Sequence, residues 1–150
     1  MEEAVLIGQA GMQQNGGGPF GAVVVRDGEL AGRGCNQVTP NLDPTAHAEV
    51  SAIRAACQFL QRFDLRGCEI YTSCEPCPMC LAAIYWARID RVYFGCTRAD
   101  AAAAGFDDEF LYQQIGLANS ARSLPMIQIC RDRATQLFSD WADKTDKVRY

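Results

Sequence analysis

The chain has 150 residues, 49% of them hydrophobic, with 14 basic and 18 acidic side chains. That length suits one domain, residues 1–150, with its own core, and the composition excludes a disordered or fibrous chain. Charges or glycines interrupt every apolar run, which argues against a membrane span, and the lack of any basic run argues against nucleic acid as a partner.

The first dozen residues read as a short helix. They are acidic where a secretory signal would be basic, so the cytoplasm is the expected compartment. "NGGGPFG" (15–21) breaks that helix and reads as a flexible entry to a strand, with neither the spacing nor the lysine of a phosphate cradle. "FGAVVVRDGELAGRGCN" reads as a hairpin turning at Arg26-Asp27-Gly28. "NLDPTAHAEVSAIRAACQFLQRF" reads as a helix capped by Asp43, with Pro44 at its first position. Val50, Ile53, Ala56, Cys57 and Leu60 recur along it at helical spacing. "CEIYTSC" (68–74) is a predicted strand. "PCPMCLAAIYWAR" is a helix with its prolines confined to the first turn. "RVYFGCT" is a further strand, and "AAAAGFDDEFLYQQIG" gives two helices around a glycine break. "MIQIC" (126–130) reads as a fifth strand before a closing helix. Strands alternating with helices imply an α/β sandwich whose second half is largely parallel.

Eight cysteines are many for such a chain. Without a secretory signal, and with three of them in "SCEPCPMC", a metal site is the better reading than a disulfide scaffold. Cys77 and Cys80 are three apart at a helix start, where the dipole and free N–H groups favour thiolate. His47 is the only histidine, so an imidazole ligand must be His47. Thiolates and an imidazole suit zinc. Cys74 is open as a fourth ligand, which would close the site and make it structural. Three ligands would leave a position for water, and Glu49 beside it could move that water's proton. Positions 47 and 49 of an ideal helix point about 200° apart, so both can reach one metal only by straddling the helix start.

"HAE" followed by "PCPMC" resembles the zinc-dependent cytidine-deaminase-like superfamily, whose signature is H-x-E…P-C-x-x-C. Within it, "TAHAEVSAIRAAC", "YTSCEPCPMCLAAIYWARIDRVYFG" and "AAAAGFDDEFLY" are similar to the bacterial guanine deaminases, from about residue 17 to the end. The resemblance implies a three-layer α/β/α sandwich on a five-stranded mixed sheet. It implies one zinc per chain on His47, Cys77 and Cys80, with Glu49 as proton shuttle and Cys74 outside the ligand set. It implies base contacts from Phe20, Asn36, Ala48 and Trp86, and guanine recognition by Asp108 and Tyr150. It further implies a homodimer that exchanges a C-terminal segment of about 132–150, so that Tyr150 serves the partner's site. The expected reaction is hydrolysis of guanine to xanthine and ammonia. The alternatives are a deaminase of another base or of transfer RNA adenosine, and a module whose zinc is structural.

Overall fold

In the computed structural model, which describes residues 1–149, α1 spans Glu2–Asn15 and ends at Gly16, whose φ of 71° supplies a left-handed cap. β1 (Gly21–Arg26) and β2 (Glu29–Cys35) follow as an antiparallel hairpin. The turn has φ of 52° at Asp27 and 82° at Gly28, the paired positive angles that match strand twist. α2 (Val38–Asn41) is a single turn. Then come α3 (Ala48–Leu60), β3 (Cys68–Cys74), α4 (Pro78–Trp86), β4 (Arg91–Cys96) and α5 (Arg98–Ala103). The sheet order is β2-β1-β3-β4. β1 pairs with β3 antiparallel, and β3 with β4 parallel.

The chain divides into two compact units, Met1–Asp108 and Glu109–Tyr150. In the first, helices cover both faces of the sheet. A Cβ on Gly21 would meet the α1 backbone at Ala4 and Gly8, whereas one on Gly34 would meet α3 at Ala48 and Ala52. The side of the sheet facing α3 carries the main core, with Val24, Ile70, Ala52, Ala56, Leu65 and Ile84 buried together. α3 is thus seated by small residues: its most buried positions are Ala48, Glu49, Ala52 and Ala56, while Val50, Ile53, Cys57 and Leu60 are half-buried at the sides. Alanine opposite glycine lets helix and strand backbones approach closely. Against α3 the approach is tightest at Gly34, where an added Cβ would lie 2.2 Å from the Ala48 carbonyl oxygen.

α3 starts later than its sequence suggests. Asp43 does not cap it. Asp43 Oδ1 instead accepts from the Thr45 N–H (2.8 Å) and Thr45 Oγ1 (2.7 Å), a local turn that competes with capping. The N-cap is His47, with extended φ and ψ of −70° and 159°.

The second unit holds α6 (Glu109–Ile115), a 3₁₀ turn at Asn119–Ala121 and α7 (Arg131–Asp143). Within it, the Arg122 guanidinium donates to the carbonyls of Gln114 and Ile115, and Gln114 Oε1 accepts from the Ser123 N–H. None of its described residues is buried. The expected fifth strand at 126–130 is absent, so among the described residues the sheet has four strands. The segment has strand-forming residues, but a strand exists only as half of a ladder, and this one pairs with nothing. Among the described residues, no helix is long and apolar enough to cross a membrane.

Candidate metal centre and active site

Three elements meet at the centre: the end of β3, the start of α4 and the start of α3. His47 and Cys77 are the N-caps of α3 and α4, and Cys80 lies in the first turn of α4 behind Pro78. Pro78 occupies the position where a missing N–H costs nothing and its fixed φ is already helical. Each N-cap is extended, so its side chain leaves the helix axis and turns toward the other cap. His47 Nδ1 lies 3.6 Å from Cys77 Sγ and 3.4 Å from Cys80 Sγ. The ligand atoms of His47, Cys77 and Cys80 all fall within 4.8 Å of one another, and this is the only such trio that includes both thiols and imidazole among the described residues.

The set fits zinc by a test independent of motif. With Zn–S near 2.3 Å and Zn–N near 2.05 Å, the N···S edge of a tetrahedron is about 3.6 Å. The observed separations match that edge. Their donor set, one imidazole and two sulfurs, leaves one corner open.

The electrostatics agree with thiolate character at the cap. A hydrogen bond from the Cys80 thiol, helped by His47, holds the Cys77 thiol down at about 4 despite its burial. The same bond and burial push Cys80 up. The hydrogen bond to Cys77 raises the His47 imidazole. Cys74, in contrast, stands apart. Burial, then the neighbouring Cys96, push its thiol up to about 11, and its S–H donates to the Thr97 carbonyl at 3.6 Å.

Glu49 is 8% exposed and lies beside the trio, its carboxylate hydrogen-bonded to Cys80. Burial raises its carboxyl above the ordinary range, the direction a proton carrier near neutral pH needs. The 200° problem dissolves because His47 is a cap and Glu49 is helical. The pair straddles the helix start, as the sequence requires, but that start lies at His47 and not at Asp43-Pro44.

Asn36 is 8% exposed at the end of β2. Its Oδ1 accepts from the N–H groups of Gly18 and Val38, both at 3.2 Å. With its oxygen so engaged, the amide presents its NH₂ as the remaining polar group. The glycine run is therefore more than a flexible entry. A Cβ on Gly17 would lie 2.0 Å from the Asn36 carbonyl oxygen, so the loop packs backbone to backbone against this residue. Phe20 bonds through its carbonyl to the Asn36 N–H, and its ring meets Phe106 edge-on at 4.9 Å. Phe106, inside "GFDD", is not among the base contacts that the resemblance implies. Asp108 is half-buried, and burial, then the Cys77 charge, raise its carboxyl. Ala48 is buried as the first residue of α3, among the helix's free N–H groups. Trp86 is not gathered with the trio. It stands at the other end of α4, 67% exposed, and lines a shallow surface cavity of about 440 Å³ with Ala82, Tyr85 and Arg88. Tyr150 lies outside the described residues.

Comparison with known proteins bears on these groups. Residues 1–96 match the family model of the cytidine and deoxycytidylate deaminase zinc-binding region. The chain is 46% identical over 150 residues to a guanine deaminase of Bacillus subtilis, covering all of this chain and 96% of that protein. An X-ray structure of guanine deaminase from Bacillus subtilis superposes with a TM-score of 0.96 at 46% identity, covering 99% of this chain and 95% of that one. A tRNA-specific adenosine deaminase of Aquifex aeolicus is 46% identical over 76 residues, 51% of this chain and 50% of that protein.

Proposed function

The chain belongs to the family of the cytidine and deoxycytidylate deaminase zinc-binding region, and from that premise we propose that it hydrolyses guanine to xanthine and ammonia. The observation that carries the substrate is the extent of similarity. The guanine deaminase matches the whole chain, whereas the tRNA-specific enzyme matches half of it. The chain's formal charge of −4 also suits a small base better than a polyanion.

His47, Cys77 and Cys80 would hold one zinc ion. When bound, the ion supplies Lewis acidity and makes hydroxide available from water near neutral pH. Glu49 takes up the proton that water releases. It donates to the ring nitrogen next to the carbon under attack, and then carries the second proton to the exocyclic nitrogen, which leaves as ammonia. Its raised carboxyl makes donation and acceptance comparable in cost, which is what a shuttle requires. The Asn36 amide donates to an acceptor of the base, since its oxygen is already bonded to backbone. Asp108 accepts from a ring N–H of guanine. Adenine and cytosine would leave that acceptor facing lone pairs, at a cost of ~1–3 kcal/mol. Phe20 and the Ala48 backbone flank the base, and Trp86 completes the aromatic wall in the assembled protein.

The proposed assembly is a cytoplasmic homodimer of one folded domain per chain, exchanging about residues 132–150 so that Tyr150 covers the partner's site. Its support lies in α7, where Leu137, Phe138 and Trp141 are 71%, 74% and 41% exposed. An apolar helix face of that kind needs a covering surface, and exchange of an identical element supplies one. The substrate proposal is tested by following ultraviolet spectra of zinc-loaded protein with guanine, adenine, cytosine, cytidine and guanosine. Guanine should be consumed fastest; faster turnover of any other member would replace guanine as substrate. Zinc retained with no turnover of any would favour a structural zinc module.

A further inference from the structure

Two cysteines lie beside the metal centre without a part in it. Cys74 ends β3 and Cys96 ends β4, and they are partners in the parallel register, Cys74 opposite Cys96. The alternation of a strand puts them on the same face as the pairs Ile70–Val92 and Thr72–Phe94. Neighbouring strands are about 4.8 Å apart, within the roughly 4.4–6.8 Å between Cα atoms that a disulfide spans. Both thiols are free. Cys96 is exposed and Cys74 is buried at 8% exposure. One thiol can meet a soluble oxidant, and the other waits behind it.

We propose that Cys74 and Cys96 form an oxidation site, at which a hydroperoxide closes a reversible disulfide across the β3–β4 ladder. The inference holds whatever base the centre acts on. The exposed Cys96 thiolate attacks the distal oxygen of the peroxide. The O–O bond breaks, Cys96 becomes a sulfenic acid, and the peroxide is reduced to an alcohol, or to water from hydrogen peroxide. The Cys74 sulfur then attacks the Cys96 sulfur. The S–S bond forms, and hydroxide leaves as a second water with the Cys74 proton. Two thiols are oxidised and one peroxide is reduced. The order follows from exposure and from the Cys74 thiol, held up at about 11, which suits the resolving partner rather than the attacking thiolate. A small thiol reductant reverses the bond.

The test uses zinc-loaded protein treated with hydrogen peroxide, quenched by thiol alkylation and mapped by mass spectrometry. The expected product joins the peptide bearing Cys74 to that bearing Cys96, two hydrogens lighter than their sum. It should disappear on reduction, and zinc content should be unchanged. Cys96→Ser alters an exposed position and should leave Cys74 alkylatable after the same treatment. Chains joined through Cys96 to Cys96, Cys96 driven to sulfinic acid with Cys74 still free, or prior oxidation of Cys77 and Cys80 with zinc loss would each overturn the proposal.

Discussion

Gly34→Ala changes one hydrogen for a methyl group and tests how the sheet positions the chemistry. The added Cβ would lie 2.2 Å from the Ala48 carbonyl oxygen and 2.5 Å from the Ala52 nitrogen. Both are backbone atoms of α3, one in its first residue and one in its second turn, so neither can swing aside. To restore an ordinary contact of 3.4 Å, α3 must retreat from β2 by about 1.2 Å. Overpacking of this kind costs ~1–3 kcal/mol, which for a domain of this size lowers Tm by ~2–12 °C. The larger effect should be on turnover. Ala48 stands between His47 and Glu49, so the retreat carries both away from Cys77 and Cys80, which ride on α4. A misplacement near 1 Å costs ~100-fold in rate, equivalent to ~2.7 kcal/mol. The assay is kcat on zinc-saturated, folded protein well below the variant's Tm, with circular dichroism confirming the fold. A variant with unchanged Tm and kcat would refute the claim that backbone contact at Gly34 sets the position of α3.

Glu49→Gln is nearly isosteric and should keep fold and zinc while turnover falls by ~100-fold or more, because in the proposed mechanism one carboxylate carries both protons; near-normal kcat would remove Glu49 from the reaction. Cys77→Ala or Cys80→Ala should lose most of the roughly one zinc per chain, measured by elemental analysis, whereas Cys74→Ala should retain it. The reverse pattern would mean the ligands are misassigned. Deletion of residues 146–150 should preserve zinc and the proposed dimer but abolish turnover through a wetter site. Mixing that protein with Glu49→Gln under subunit exchange should restore some activity. No rescue, with exchange confirmed, would show that each tail serves its own subunit.

Much of the candidate centre was legible in sequence because its two cysteines are local. Cys77 and Cys80 are one helical turn apart behind a proline that fixes where the helix starts, and a single histidine leaves no choice of imidazole. The hairpin was legible for the same reason, since Asp27-Gly28 sets the turn. What escaped was non-local or competitive. Asp43-Pro44 is a valid helix start by sequence, but Asp43 bonds to Thr45 and the cap falls four residues later at His47. The glycines at 17 and 18 read as flexibility because their partner, Asn36, is distant in sequence. Small residues along α3 carried the deepest burial, although the larger apolar ones carried the periodic signal. The strand expected at 126–130 had the right residues, but a ladder needs a second strand, and propensity cannot supply one.

Isotopic labelling tests whether the protein deaminates guanine by hydrolysis. Zinc-loaded protein should be incubated with guanine in water enriched in ¹⁸O, with xanthine and ammonia quantified together. Equal amounts of both are expected, with one ¹⁸O per xanthine at the carbon that bore the amine and loss of both products in Glu49→Gln. Guanine recovered unchanged from protein with a full complement of zinc, or xanthine formed without the label, would contradict hydrolytic deamination.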